Sequence, residues 1–487
     1  MRKVAIAVSL AVLSLSLSAC SKSSSQTDIS AASLDTAEWA SSARRELAER
    51  VAGRAAHGLD HIAFPAPGDD AAALTAQALR LAGALSSGVS DPAALHEVYT
   101  LKRPAPDLRK GLAAALAKNA VGQWLDSLAP QDEGYRQLSK AYLAIVKGGA
   151  GQGAAAPTAP AVPVIPERAK PLEPGSSDPR IPAIARQLGA LGYLDGGADR
   201  GGSSGQVYDP TLVKAVRRMQ ADYGIKPDGI IGGDALEILN LSDGDRARMI
   251  AVAMERLRWL DRQPPETRID VNIAAARLTY WRDGRIVDSR RVVVGEPDTE
   301  TPQLQSPIFR LVANPTWTVP RSIQRKEIEG KGGDYLRRNN MTWKDGWVVQ
   351  KSGPKNSLGL VKFDMQNEHS IYLHDTPAKA LFSEAQRQRS HGCVRVEDAL
   401  GFAEMIARDE GVLDAWRKAR ATGDETFVKL PRQIPVRLMY QTVLIDEGGN
   451  AVVRSDPYGW DDRVAKALGF SAATMHRLRG GGGDVGP

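Results

Sequence analysis

A chain of 487 residues is too long for one ordinary domain and predicts roughly two to four. Its 43% hydrophobic and 25% charged residues are those of a soluble globular protein with a sizeable core, which excludes a disordered or disulfide-stapled chain. A net charge of +6 suits an anionic polymer partner without specifying one, and no Lys/Arg run interleaved with aromatics argues for nucleic acid.

The N-terminus is more specific. Arg2 and Lys3 precede an apolar stretch from Val4 to about Leu17, then Ser18 and Ala19. This is the layout of a secretory signal, too short to stay in a bilayer as a spanning helix. Leu17-Ser18-Ala19-Cys20 resembles a bacterial lipobox, in which Cys20 is lipidated and becomes the mature N-terminus; plain secretion after cleavage nearby is the alternative. Each methylene of the acyl chains buried in a membrane would add roughly 0.8 kcal/mol of attachment. Ser21 follows where some lipoproteins carry Asp as a retention signal, so the expected location is the periplasm, anchored to the outer membrane. The chain has two cysteines. With Cys20 consumed by lipid, the mature protein holds a single thiol, Cys393, in an oxidising compartment. A thiol so placed is either buried or working.

After the signal (1–20), a Ser-rich tether leads into a helical scaffold domain, the two spanning 21–147. Apolar residues at helical spacing mark it, for example Leu74, Ala78, Leu81 and Leu85, with breaks at Pro65-Ala66-Pro67-Gly68 and Arg103-Pro104-Ala105-Pro106. Residues 148–178 read as a Gly/Pro-rich linker that lets its neighbours move. In 179–242, Leu188 to Leu194 reads as a helix end with a glycine cap, and Asp209-Pro210 as an N-cap with proline at the first helical position. Leu212, Ala215, Val216 and Met219 make one helical face, Pro227-Asp228-Gly229 a turn, and Ala235, Leu236 and Leu239 a last short helix. Composition and spacing identify only a small helical module. The run from Ala215 to Gly232 is similar to the three-helix peptidoglycan-binding domain, and that resemblance is what implies a wall ligand.

A connecting helix from about Met249 to Leu260 lies in 243–266. Past Pro264-Pro265 the period changes to two: Arg268 to Ile273 and Ala276 to Trp281 read as strands, Asp283-Gly284 as a hairpin turn, and Ile286 to Val294 as the return strand. This opens a β-rich domain over 267–440, followed by a C-terminal extension, 441–487.

The chemistry lies between Ser370 and Val396. Ile371 and Leu373 alternate with Tyr372 and His374, so a strand sets His374 on the face opposite the two aliphatics. Asp375-Thr376-Pro377 turns the chain, and Ser390-His391-Gly392-Cys393-Val394-Arg395-Val396 runs into a helix near Asp398, with Leu400, Ala403 and Ile406 on one face. Acyl transfer by cysteine needs a thiol, a nearby imidazole and donors for a developing oxyanion. Two of the chain's seven histidines flank its one mature thiol. Gly392 lets the backbone approach a substrate, and the N–H groups around Cys393 are natural oxyanion donors. Each residue also has a plain structural reading, as core histidine, inert thiol or ordinary ion-pairing arginine.

His374 followed by Ser390-His391-Gly392-Cys393 matches the signature of the L,D-transpeptidase (YkuD-type) catalytic domain. The match extends through Thr301-Pro302, Asn314-Pro315-Thr316-Trp317, Val319-Pro320, Asn356-Ser357-Leu358-Gly359 and Tyr372 to Pro377. These flanks resemble the larger periplasmic branch, which joins a helical scaffold, a peptidoglycan-binding domain and a capping subdomain, here 320–355. The fold class implied is multidomain α+β. Arg395 stands where many members carry Asn, although Arg is usual in this branch. The resemblance implies that Cys393 is the nucleophile and His374 the base. It implies that Ser390, His391, Gly392 and Arg395 serve substrate or oxyanion, Arg395 holding a carboxylate through its planar fork. Trp317, Trp343 and Trp347 are candidate cleft walls. The reaction implied is that of a cysteine acyltransferase without metal or other cofactor. Cys393 attacks the L-centre carbonyl of diaminopimelate in a peptidoglycan stem peptide and expels D-Ala. A second stem amine then resolves the thioester as a 3→3 cross-link, and acylation by carbapenems follows from the same chemistry. The alternatives are transfer to water or to a lipoprotein lysine, an amidase on the same fold, or a non-catalytic wall-anchoring lipoprotein.

Overall fold

The structure is a computed structural model that describes residues 31–64, 68, 70–150, 164–194 and 206–471. The expected signal and lipidation site at 1–20 with Cys20, the tether as far as residue 30, Pro65 to Pro67, linker residues 151–163 and the end of the chain from 472 lie outside the described residues.

The scaffold is built from α1 (Ser41–Ala52), α2 (Ala71–Ser87), α3 (Pro92–Leu95), α4 (Leu108–Ala117), α5 (Val121–Leu128) and α6 (Glu133–Ala150). Asp70, Asp91 and Asp107 start α2, α3 and α4 by accepting a hydrogen bond from a first-turn N–H. Leu74, Ala78, Leu81 and Leu85 all face the core. The three helices of the next module are α7 (Ile181–Ala190), α8 (Pro210–Tyr223) and α9 (Gly233–Leu239). Asp209 caps α8 through the N–H of Leu212, and Gly192, at φ +78°, turns the chain out of α7.

The linker reading needs correction from residue 164 onward. Ile165 and Leu172 are buried, Leu172 exchanges backbone hydrogen bonds with Ile231, and Asp178 pairs with Arg180. Apolar side chains between the prolines pack this stretch onto the three-helix module, which composition alone does not reveal. The connecting helix is also more than a connector. It is α10 (Asp243–Arg258), begun by a reciprocal Ser242/Asp245 capping box ahead of Met249, and from Ala247 onward nearly all of it is buried. Its Glu255 accepts from the N–H and hydroxyl of Ser90 at 2.8 and 2.7 Å and pairs with Arg258, both side chains fully buried. Arg258 in turn donates to the Tyr135 hydroxyl at 2.7 Å. Removing one partner of such a pair typically costs about 3–5 kcal/mol, so α10 is fastened to the scaffold.

The β-domain holds β1 (Arg268–Asn272), β2 (Arg277–Arg282), β3 (Arg285–Gly295), β4 (Gln305–Ala313), β8 (Val361–Met365), β9 (Leu373–His374), β10 (Gln388–Ser390), β11 (Val394–Val396) and β12 (Thr426–Met439). Their order is β10-β3-β11-β9-β8-β4-β12-β1-β2, and β2 also pairs with β3, so the order closes on itself without a long free edge. Helices α13 (Ala399–Asp409) and α14 (Leu413–Ala421) pack their apolar faces on this core. In α13 that face is Ala399, Phe402, Ala403, Ile406 and Ala407, whereas Leu400 is only half-buried. Asp283 and Gly284, both at positive φ, form the β2–β3 hairpin turn.

Inserted between β4 and β8 is a unit with its own small core of Trp317, Val319, Ile323, Ile328, Met341, Val348 and Leu358. It contains β5 (Trp317–Thr318), α11 (Arg321–Ile323), a π-turn (Gln324–Ile328), α12 (Gly333–Arg338), β6 (Met341–Lys344) and β7 (Trp347–Gln350). After β12 the chain returns to the N-terminal half. The hairpin of β13 (Val443–Ile445) with β14 (Ala451–Val453), followed by α15 (Asp461–Ala467), places Val443, Val464, Ala465 and Leu468 in the scaffold core. The described part of the C-terminal extension is therefore structural.

Candidate active site

One cleft of about 830 Å³ gathers most of the motif residues. His374 ends β9, and Arg395 lies beside it in the parallel register of β9 with β11. Cys393 immediately precedes β11, next to Tyr372, whose carbonyl accepts from Val394 N–H at 3.1 Å. Ser390, His391, Cys393, Arg395, Tyr372 and His374 all line the cleft.

The Nδ1 of His374 lies 2.5 Å from the Asp375 carbonyl oxygen. A carbonyl only accepts, so Nδ1 carries the proton and Nε2 keeps its lone pair, the tautomer a general base requires. The Asp375 carboxylate is anchored separately, by Lys379 and by the N–H of Leu360 at 2.9 Å. Glycine is needed at 359 because φ is +60° and a Cβ there would fall 2.3 Å from Asp375 Oδ2. The Asn-Ser-Leu-Gly motif thus serves the turn that carries the imidazole.

The thiol of Cys393 is half-buried and donates to the Ser370 carbonyl at 3.6 Å. Ser370 sits at φ +54°, held by Asn367, whose side-chain oxygen accepts from the N–H groups of His369 and Ile371. Burial pushes the thiol pKa up; the backbone N–H and the hydroxyl of Tyr372, with the charges of Lys362 and Arg395, pull the other way. Burial also holds the Tyr372 hydroxyl well above its ordinary range, so it remains a donor to sulfur. Tyr372 was missed as a site residue, although alternation puts it on the same strand face as His374.

The remaining motif residues divide by role. Ser390 donates to the Cys393 carbonyl at 2.6 Å and accepts from Gly392 N–H at 3.1 Å, bracing the turn. That bond engages the Gly392 N–H within the turn. What requires glycine at 392 is φ +110°, since an added Cβ would meet nothing closer than 3.7 Å. His391 directs Nε2 to Glu327 of the π-turn at 2.5 Å, so this nitrogen faces the inserted unit and not the thiol. Arg395 is 8% exposed and lines the cleft. On the opposite wall stand Trp317, Ile323, Lys326 and Trp347 of the inserted unit, with Arg321 stacked 3.9 Å over the Trp347 ring. Trp343, grouped with these tryptophans from sequence, is 54% exposed and does not line the cleft.

Comparison with known proteins adds a family to this geometry. Residues 266–428 match the L,D-transpeptidase catalytic domain (YkuD), residues 35–141 the scaffold domain, and residues 177–239 a family described as "Putative peptidoglycan binding domain". A protein of Haemophilus influenzae described as "Putative L,D-transpeptidase" is 30% identical over 224 residues, 40% of this chain and 45% of that relative. The chain therefore aligns with less than half the length of this curated relative. Solved L,D-transpeptidases from Xylanimonas cellulosilytica and Stackebrandtia nassauensis are 17% and 14% identical; each comparison covers 56% of this chain, with 99% and 98% of the other and TM-scores of 0.21 and 0.25.

Proposed function

Since the chain carries an L,D-transpeptidase (YkuD) catalytic domain, with scaffold and peptidoglycan-binding domains ahead of it, we propose that it forms 3→3 cross-links between peptidoglycan stem peptides through a thioester on Cys393. The observation that carries this reading is the shared cleft, in which the Cys393 thiol and an imidazole of the right tautomer, His374, line one cavity under the inserted unit.

Nε2 of His374 takes the thiol proton as Sγ attacks the L-centre carbonyl of the donor diaminopimelate. Tyr372 donates to the sulfur as its charge develops, offsetting the burial that disfavours a free thiolate. The tetrahedral oxyanion lies against the Cys393 N–H. As the intermediate collapses, the proton on His374 leaves with the amine of D-Ala. The side-chain amine of a second stem then attacks the thioester, His374 accepts its proton, and the thiol is reformed. Arg395 supplies a fixed cation for a stem carboxylate, and the inserted unit caps the cleft and excludes water. In this reading the chain is a periplasmic lipoprotein, held at the outer membrane through Cys20.

Intact-mass measurement with a carbapenem, paired with mass spectrometry of incubated muropeptides, tests the reading. Wild type should gain one carbapenem adduct and yield 3→3 dimers, while Cys393→Ala should remain folded and do neither. An adduct on Cys393→Ala would place the nucleophile elsewhere. Trimmed monomers without dimers would mean that water is the acceptor, and stems attached to an added lipoprotein in place of dimers would reassign the acceptor to its lysine.

A further inference from the structure

Beyond the motif, a strap between β3 and β4 grips the nucleophile turn. Glu296 N–H and Thr299 Oγ1 both donate to the Ser390 carbonyl, each at 2.9 Å. Thr301 Oγ1 donates to the Gly392 carbonyl at 2.8 Å and accepts from Gly295 N–H at 2.8 Å. Thr301 is fully buried. Its own N–H donates to the Tyr458 hydroxyl at 3.2 Å, and that hydroxyl donates to the Gly295 carbonyl at 2.5 Å. Tyr458 stacks on Tyr440, and its neighbour Trp460 donates to the Glu300 carboxylate at 3.1 Å. Tyr458 and Trp460 lie past residue 428, where the match to the catalytic family ends.

The consequence follows from peptide geometry. The Gly392–Cys393 peptide is planar and trans, so its C=O and N–H point in opposite directions. A hydroxyl fixed on the Gly392 carbonyl therefore fixes the direction of the Cys393 N–H, the donor left to face an oxyanion once the Gly392 N–H is bound to Ser390. Glycine at φ +110° has the backbone freedom to rotate this peptide if the carbonyl is released.

We infer that Thr301, held by Tyr458 of the C-terminal extension, is a positioning residue that aims the Cys393 N–H at the developing oxyanion; this rests on the Cys393 acyl-enzyme reading above. The test compares two reactions of the same thiol in the full-length protein. Acylation by a carbapenem passes through a tetrahedral oxyanion, whereas alkylation by iodoacetamide does not. Thr301→Val should slow acylation about 10- to 100-fold while leaving alkylation within about twofold and carbapenem affinity before acylation unchanged. Thr301→Ser, which keeps the hydroxyl, should restore acylation. Tyr458→Phe should give a smaller loss of the same kind, and it stands in for Thr301→Val if that variant does not fold. Acylation by Thr301→Val at the wild-type rate, or parallel loss of both reactions, would overturn the inference. A wild type that forms no adduct would overturn the acyl-enzyme reading and this inference with it.

Discussion

At the scale of single residues, the site combines a reluctant thiol with the groups that relieve it. Burial raises the Cys393 pKa, and Tyr372, Lys362 and Arg395 only partly oppose this. In the proposed reaction the resting thiol is therefore neutral and draws on His374 at the moment of attack, in contrast to a preformed thiolate pair. With a raised pKa, the thiolate fraction is small at pH 7 and grows only as pH rises through the folded-state value. The alkylation rate of Cys393 should thus keep rising beyond about pH 8.5, the ordinary thiol range, and a plateau reached below pH 7.5 would contradict this account. A backbone carbonyl orients His374: Asp375 contributes its main chain to the imidazole, while its side chain holds Lys379 and Leu360.

Among elements, the inserted unit stands out because a link, His391 to Glu327, runs between its π-turn and the turn that carries Cys393. Both side chains are partly exposed, so the pair is worth about 1 kcal/mol or less to folding. Its larger consequence is for closure, because it ties the wall carrying Ile323 and Lys326 to the turn carrying Cys393. Glu327→Gln should raise KM for a muropeptide donor about three- to fivefold, with a smaller change in kcat and a denaturation midpoint near wild type. Unchanged steady-state kinetics would leave the link a surface contact. The first strands of the sheet follow their period closely. β1, β2 and the Asp283-Gly284 turn lie where alternation and turn chemistry put them, because the hairpin is a local structure.

Across the whole molecule, the N-terminal half and the C-terminal end share one apolar core, running from Leu34 through α10 to Leu468, while the sheet has its own. Tyr99 of the scaffold also pairs with Gln303 of the β-domain, and His96 packs on Trp460, 4.5 Å between ring centres. The candidate cleft is therefore carried on a fastened body, with α10 and the chain end as its bolts. A lipid at Cys20 would act on that body from outside the described residues, as a tether that raises effective concentration on nearby wall polymer without altering the cleft. Cys20→Ala should then leave turnover of small soluble muropeptides unchanged and lower 3→3 cross-linking of the wall in cells. Palmitate labelling with fractionation is the direct check: a wild type that takes up no label and remains soluble in the periplasm removes the anchor from the proposal.

What the sequence by itself determined was whatever depends on near neighbours: the helical period of α2, the Asp209 cap, the Asp283-Gly284 turn, and the Ser-His-Gly-Cys run with an upstream histidine on a strand. Local spacing also brought Tyr372 within reach, since it shares a strand face with His374. The tertiary structure decided the contacts made across long separations. Glu327 meets His391 across 64 positions, Thr301 reaches Gly392 across 91, and Tyr458 reaches Gly295 across 163. No period or composition encodes such pairings, because each depends on how separate elements dock. The same reason explains why the linker prolines hid a packed strand-like segment from residue 164, and why a helix read as a connector is the buried centre of the N-terminal core.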